Sequence, residues 1–487
     1  VMEGALPPVF DQPEAASWRA AASRVLKGAD LIEALVSRSH DGIALGPLFA
    51  ADLPSGPQPW RDASRPVAIL QRMEHPVPAE AHRLAVIDLA NGATGLTLVL
   101  AGASCGRGFG VPPTGIAMAL DGLDLEGTPF RCECPTFLEA RTVGTLLGAL
   151  AVRGRDLTVL DIAIDPLGDM ARTGMVPRIV RDLGVEDGMH AVMACIAAWL
   201  RDLRQYGLTT PALRADGRPH HDAGASEAQE LAAVLATGVT YLRALEREGL
   251  DEARRALSFT LAADADQFLT LAKFRAFRRL WARVEEACGL RPAPIRLHAE
   301  TSWRMLSRRD AWSNLLRNTI ACGAALMGGA DSITVLPFTS ALGLPDEFAR
   351  RLSRNTPLLL LQEAHIGRVA DPGAGAGSVE FITGALCAEA WRLFQGLERA
   401  GGLATALQAG TWQASIGAVR AARRTDLASG RTALVGVTSF KGPAEREPSV
   451  VAPLPPASGP DVSNASAVFS ALRPERDAEE FESEATP

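Results

Sequence analysis

Short apolar runs alternate along the chain with longer segments that repeat apolar residues at spacings of three and four, a pattern of strands alternating with helices. The strand-like runs are Gly95 to Leu100, Pro129 to Cys134, Leu157 to Ile162, Thr210 to Arg214, Ala256 to Leu261, Ile295 to His298, Ser332 to Leu336 and Leu358 to Gln362. Between them, PTFLEARTVGTLLGALAVRG, DGMHAVMACIAAWLRDLRQYG, SEAQELAAVLATGVTYLRALEREG and DQFLTLAKFRAFRRLWARVEEACG each carry one apolar face. Eight such alternations predict a closed (β/α)8 barrel over residues 66–425. Residues 1–65 read as an N-terminal extension with helices from Pro13 to Leu26 and from Leu31 to Arg38. Helices from Phe381 to Leu397 and from Leu403 to Ala422 are expected to cover the barrel. Residues 426–487, with Pro443, Pro448, Pro453, Pro455, Pro456 and Pro460 ahead of an acidic end, read as a linker and tail.

Ligand chemistry in a parallel barrel sits at the carboxyl ends of the strands, so the polar residues there are the first candidates. His298, Glu300 and Thr301 close one strand, Thr339 and Ser340 follow the next, and Gln362, Glu363 and His365 close the last. Glu300, Glu363 and His365 together would make an acid–base set at the mouth, and equally would serve as caps for the helices that follow. Asp161 and Asp165 fall in a strand region, and Asp264 and Asp266 open a helix, where acids favour the positive end of the dipole. The adjacent His220 and His221 are open to three readings: loop hydrogen bonds, a substrate contact, or a metal pair with no assignable third ligand. Large aliphatics dominate the strands (LTLVL, LSFTL, ITVL, LLLLQ), which predicts a filled axis rather than an open channel. GAGAGS at Gly373 to Ser378 lacks the lysine and the strand of a phosphate loop and is read as a turn.

Composition narrows this reading. A hydrophobic fraction of 47% with only 5% aromatics, and 45 glycines in 487 residues, suits a core of Ala, Leu, Val and Ile between parallel strands and helices. The net charge of -7, with arginines interspersed among acids, argues against a nucleic-acid surface. No apolar run reaches the length of a membrane span. Seven cysteines share no repeated spacing, and Cys132 and Cys134 lie two apart in a strand, so buried free thiols in a reducing cytoplasm are expected.

The blocks ETSWRML, NLLRNTIACGAALMGGADSI, ALGLPDEFARRLSRNTPLLLLQEA and VADPGAGAGSVE resemble the matching blocks of the methylmalonyl-CoA mutase family. Weaker similarity runs from SWRAAASRVLKGAD to LRPERDAEEFE, and it is closer to the small subunit of the two-subunit bacterial enzymes than to the catalytic one. The resemblance implies a partner: a homologous catalytic subunit in a heterodimer, with residues 1–65 lying across it. A GTPase chaperone of the mutase is a second candidate partner. Adenosylcobalamin is implied as the cofactor of the complex, bound by the partner. Relatives that hold it carry an Asp-x-His-x-x-Gly loop whose histidine binds cobalt, and no such motif occurs here, so no cobalamin-binding domain is expected in this chain.

Two further departures bear on catalysis. Catalytic relatives place Ile-Arg-Gln-Tyr-Ala-Gly-Phe-Ser-Thr ahead of the first strand, where this chain has VAILQRMEHPVPAEA; Gln71, Arg72 and Met73 stand in the region of the substrate tyrosine. Relatives read Gly-Tyr-His-Met-Gln-Glu-Ala-Gly-Ala, with the histidine on the thioester carbonyl. The match here, Gly217 to Ala225, sets Pro219 on that histidine, and proline has no donor to polarise a carbonyl. Gln71, Arg72, Met73, Pro219, His220, His221, Glu300 and Glu363 are therefore the positions of an expected degenerate site. The resemblance then points to a non-catalytic, stabilising subunit. Two alternatives are an active barrel of a split acyl-CoA mutase whose cobalamin domain is a separate chain, and a scaffold that binds a coenzyme A ester without turnover.

Overall fold

The computed structural model describes residues 14–49, 61–62, 64–135, 148, 160–162, 164–205, 212–442, 448–455, 465–467 and 469–482. Eight parallel strands form its centre: β1 Ala68–Met73, β2 Gly95–Val99, β3 Phe130–Glu133, β4 Leu160–Asp161, β5 Leu213–Asp216, β6 Leu257–Ala263, β7 Leu297–Thr301 and β8 Ser332–Thr334. Their order is β4-β3-β2-β1-β8-β7-β6-β5, so each strand neighbours the next in sequence and β8 returns to β1. Ile164, just past β4, bridges Leu213 at the start of β5. Its amide donates to Ala212 O at 3.0 Å and its carbonyl accepts from Arg214 N at 2.9 Å, which closes the ring into the expected (β/α)8 barrel.

Helices surround the strands: α1 Ala15–Val25 and α2 Leu31–Leu35 in the extension, then α3 Pro78–Ala90, α4 Pro166–Thr173, α5 Val185–Gln205, α6 Arg218–Asp222, α7 Glu227–Ala244, α8 Gln267–Ala287, α9 Ser313–Met327 and α10 Glu347–Gln362. After these come α11 Gly377–Arg399, α12 Leu403–Gln408 and α13 Thr411–Ala428. Local chemistry sets several starts. Ser226 and Gln229 form a reciprocal capping box on α7, Asp266 caps α8 through Leu269 N at 3.0 Å, and Asp346 caps α10 through Ala349 N at 2.9 Å. Strand alternation turns Leu96, Leu98, Phe130, Cys132, Leu213, Ala215, Phe259, Leu261, Leu297 and Ile333 outward, into one continuous apolar core beneath the helices. Cys132 and Cys134 have sulfurs 3.7 Å apart, and all seven cysteines are free thiols.

The last strand of the sequence reading needs correction. Leu358 to Gln362 is the end of helix α10, not a strand, and the eighth strand is instead β1, inside the barrel range but in the segment read as lying ahead of the first strand. The buried face of α10 consists of Ala349, Arg350, Ser353, Arg354 and Pro357, with both arginines held by buried Asp88 of α3, while Leu359 is 51% exposed. An inward face made of arginine and an outward leucine invert the usual pattern, so the apolar run read as a strand. Apart from Pro135 and Gly148, the expected helix from Pro135 to Gly154 lies outside the described residues, as do Leu157 to Val159 and Thr210 and Pro211 of two expected strands.

The terminal segments are more structured than a linker and a tail. A two-residue hairpin pairs Ser37–Arg38 with Ala44–Leu45. Ile43 is buried, Asp41 accepts from Ala228 N at the start of α7 (3.3 Å), and the Phe49 ring lies 5.0 Å from that of Phe381 on α11. This part of the extension packs on its own barrel. Helix α1 buries no residue. At the other end Val450–Pro453 pairs with Gly343–Pro345, and Ala465–Ala467 pairs with Met175–Pro177. Residues 469–482 then cross the carboxyl side of the barrel. Their amides donate to Ala171 O (from Leu472, 2.8 Å), Asp222 O (from Glu475, 2.8 Å) and Arg304 O (from Asp477, 3.0 Å).

Candidate functional site

Most inward positions of the strands are polar, and many are charged. Alternation aims Arg72 of β1, Arg131 and Glu133 of β3, Asp161 of β4, Arg214 and Asp216 of β5, and Glu300 of β7 at the axis. Together with Glu74, Arg172 and Arg218 they form one connected lattice of five arginines and five carboxylates. Nine of the ten are buried, and Arg172 is partly so.

Its links run across the barrel. Arg72 reaches Glu74 at 2.7 Å and Glu300 at 3.0 Å, and donates to Cys105 O at 2.8 Å. Arg218 joins Glu133 (2.9 Å), Asp216 (2.7 Å) and Glu300 (3.0 Å). Arg214 joins Glu133 at 2.9 Å and Asp161 at 3.4 Å, while Arg131 donates across to Thr260 Oγ1 at 3.1 Å. The axis is filled, as the aliphatic strands led one to expect, but the aliphatics face outward and ion pairs do the filling.

Burial alone would raise the Glu133 carboxyl, yet Arg214, Arg218 and Arg131 outweigh it and hold Glu133 well below the usual range. Asp216 is likewise pulled down to about 2, burial being overcome by Arg218 and Arg172. Glu300 is lowered by Arg218 and Arg72 against its own burial. His298 donates no charge to the set: burial first, then Arg131, Arg218 and Arg214, hold its imidazole neutral, with Nδ1 2.8 Å from Ser332 Oγ.

Pro219 lies buried in the first turn of α6, and His220 and His221 follow it inside that helix. The two histidines diverge. His220 Nδ1 accepts from Trp412 Nε1 of α13 at 3.1 Å, and burial lowers its pKa to about 4, so it is neutral. His221 sits between two carboxylates, Glu230 Oε2 at Nδ1 (3.1 Å) and Asp264 Oδ2 at Nε2 (3.1 Å), with Ser302 Oγ 2.8 Å from Nε2. Gly217 makes room for this arrangement, since a Cβ there would stand 2.6 Å from Glu230 Oε1. Lys273 binds Glu230 at 2.6 Å and Arg304 binds Asp264 at 2.9 Å, so each carboxylate has a cation of its own.

Ser302, His221 and Glu230 have the connectivity of a nucleophile, base and orienting acid. The second carboxylate removes that function, because Asp264 Oδ2 occupies the same Nε2 that would have to take the proton from Ser302. Both Ser302 and His221 are also fully covered. The cluster is a brace between β6, β7, α7 and α8.

Of the other expected site residues, Gln71 and Met73 are buried on the outer face of β1, while Arg72 and Glu300 meet directly. Glu363 and His365 do not join Glu300. They follow the end of α10 and are exposed, because the strand they were assigned to is a helix. Asp264 serves His221 and Arg304 rather than a helix dipole, whereas Asp266 is the cap. Asp165 caps α4 and accepts from Tyr241, and burial pushes it up to about 6. Sequence reasoning missed Arg131, Glu133, Arg214, Asp216 and Arg218. A signal for them existed: RCEC and LRAD each place two charges two residues apart inside a strand, which assigns both to one face.

The mouth is covered from above. Trp303, after β7, lies between the guanidinium groups of Arg107 and Arg476, 5.2 and 5.8 Å from its ring centre. Arg476 belongs to the crossing segment and is 4% exposed, paired with Glu482 at 2.7 Å.

The family profile described as methylmalonyl-CoA mutase matches residues 187–485. The methylmalonyl-CoA mutase small subunit of Streptomyces virginiae is 42% identical over 453 residues, covering 86% of this chain and 69% of that one. A probable methylmalonyl-CoA mutase small subunit of Mycobacterium tuberculosis is 37% identical over 480 residues, covering 91% and 71%. A large subunit is more distant: that of Propionibacterium freudenreichii subsp. shermanii is 36% identical over 232 residues, covering 47% of this chain and 32% of the relative. With the barrel, the matched blocks and this coverage in agreement, the chain belongs to the methylmalonyl-CoA mutase family, and the likeness that spans most of it is to the small subunits.

Proposed function

We propose that the chain is a non-catalytic small subunit that stabilises an adenosylcobalamin-dependent methylmalonyl-CoA mutase, in which a homologous large subunit interconverts methylmalonyl-CoA and succinyl-CoA. The observation that carries this reading is the ion-pair lattice across the axis. A coenzyme A ester threaded down the barrel would have to displace five arginines and five carboxylates that satisfy one another. Pro219 adds to it, offering no donor where relatives carry a histidine. The residues near the mouth do not suit cobalamin either: His220, His221 and His298 are each 2% exposed or less and hydrogen-bonded, so none is available to cobalt. Cofactor and substrate are then held by the partner, and no step of the reaction is derived for this chain.

The names small and large subunit among the relatives support a paired partner, and helices α1 and α2, which bury no residue on their own chain, are free to lie across it. Free thiols suit a reducing cytoplasm, and no described helix is long and apolar enough to cross a membrane. Co-expression with a large subunit, followed by light scattering on a sizing column, tests the reading. A one-to-one complex whose turnover survives substitutions in this chain's lattice, provided the pair stays assembled, is expected. A lone chain that ignores the large subunit, or that turns over substrate with a separate cobalamin protein, would replace this reading with the split-mutase barrel.

A further inference from the structure

A second group of arginines lies away from the axis. Arg275, Arg278 and Arg279 of α8, Met327 to Gly329 at the end of α9, and Ala370 and Asp371 ahead of α11 line a small cleft that opens to solvent, and Arg61 from the N-terminal extension completes its wall. Three carboxylates serve these cations. Asp371 and Glu380 hold Arg275 at 2.9 and 2.6 Å, Glu380 holds Arg279 at 2.7 Å, and Asp331 holds Arg278 at 2.9 Å.

Arg61 stands apart from the other three. It is 6% exposed, and its Nη1 and Nη2 donate only to carbonyls, Arg65 O at 3.0 Å and Gly367 O at 3.2 Å. No carboxylate oxygen lies within ion-pair distance of it among the described residues. Burial lowers its pKa, opposed by the field of Asp331 and more weakly by Asp62. Among the described residues, four guanidiniums face three carboxylates, and Arg61 is the one of the four with no carboxylate partner. A buried cation without a counter-charge is costly, and a guanidinium with donors left over offers the planar fork that binds tetrahedral oxyanions. Arg279, with a side chain 23% exposed, spends one nitrogen on Glu380 and has further donors for the same ligand.

We propose that this cleft binds a phosphate group, with Arg61 as its principal ligand and Arg279 as the second donor. Free orthophosphate and the phosphomonoester of a nucleotide share this chemistry. The site is independent of the subunit reading above, since neither arginine belongs to the axial lattice or the mouth.

Titration calorimetry on the full chain with orthophosphate alone, and separately with adenosine 3′,5′-bisphosphate, tests the proposal. Saturable one-site binding is expected, weakened about tenfold or more in Arg61→Gln and less in Arg279→Gln. If the two probes bind alike the source is the free ion; tighter bisphosphate binding with the same arginine dependence assigns a nucleotide. A second readout separates the site from mere structure. In phosphate-free buffer Arg61→Gln should melt no lower than the parent, because it removes an uncompensated cation, while losing the upward shift that phosphate gives the parent. Absence of saturable binding by both probes, or equal affinity in the parent and both variants, overturns the assignment. Should Arg61→Gln fail to fold, Arg279→Gln alone decides between these outcomes.

Discussion

Glu133 takes three arginines, and no other carboxylate of the axial lattice meets so many. Replacing it with glutamine leaves Arg131, Arg214 and Arg218 short of a charge in a dry interior, and a loss of about 3–5 kcal/mol in denaturant titrations is expected. Removing Glu133 and Arg214 together, both to leucine, should cost clearly less than the two single losses added. The same groups set an acid limit. Asp216 and Glu230 both titrate at about 2 when folded, below the unfolded value of about 4, so their stabilisation is complete above pH about 4 and is lost as pH falls toward about 2. Melting temperature should therefore drop steeply across that interval, and Glu230→Gln, itself less stable at neutral pH, should show a shallower drop. At Pro219 the expectation concerns activity. Pro219→His supplies an imidazole in the first turn of α6, beside an axis that remains filled, and the isolated chain with adenosylcobalamin and methylmalonyl-CoA should still show no turnover. Measurable succinyl-CoA from that single change would sink the structural-subunit reading.

Elements were legible where the buried face was apolar. β2, β6 and β7 announced themselves because their outward residues, such as Leu96, Phe259 and Leu297, alternate with inward ones small enough or regular enough to leave the pattern intact. β1 was hidden, since Gln71 and Arg72 interrupt its apolar run in the middle. α10 was misread for the opposite reason: its two buried arginines are held by Asp88 of a different helix, α3, and nothing local in the sequence reports that partner. The assignment can be checked chemically. Leu359→Glu should change stability by no more than about 0.5 kcal/mol, as suits an exposed helix position, whereas a central strand would not tolerate it. The register of β1 on β2 has its own test: a Cβ at Gly95 would stand 2.3 Å from Leu70 Cδ2 and 2.5 Å from Pro129 O, so Gly95→Ala should cost about 1–3 kcal/mol.

For the molecule as a whole, the repeating strand and helix pattern was enough to imply a barrel, and the ring closure by Ile164 agrees with it. The candidate site was legible only in part. Arg72, Glu300 and the histidine pair were found as polar residues at strand ends, but which groups they meet depends on contacts between residues as far apart as Arg72 and Glu300. The crossing of the mouth by residues 469–482 was not legible at all, because an acidic stretch after prolines carries no mark of what it folds against. Removing the chain from residue 469 onward should expose Trp303 and speed hydrogen exchange in Arg304 to Arg308, with little effect in β2 and β3, as measured by mass spectrometry.

The axial lattice also constrains how this barrel can change. Its ten groups are balanced one for one, so every single substitution that removes a charge strands an opposite charge in the interior. Routes to an open, substrate-accepting axis therefore begin with paired replacements, an arginine and a carboxylate lost at once. A population drifting one residue at a time meets a stability barrier at the first step, and the filled state works as a ratchet: easy to keep once formed, and reversible only by changes that arrive together.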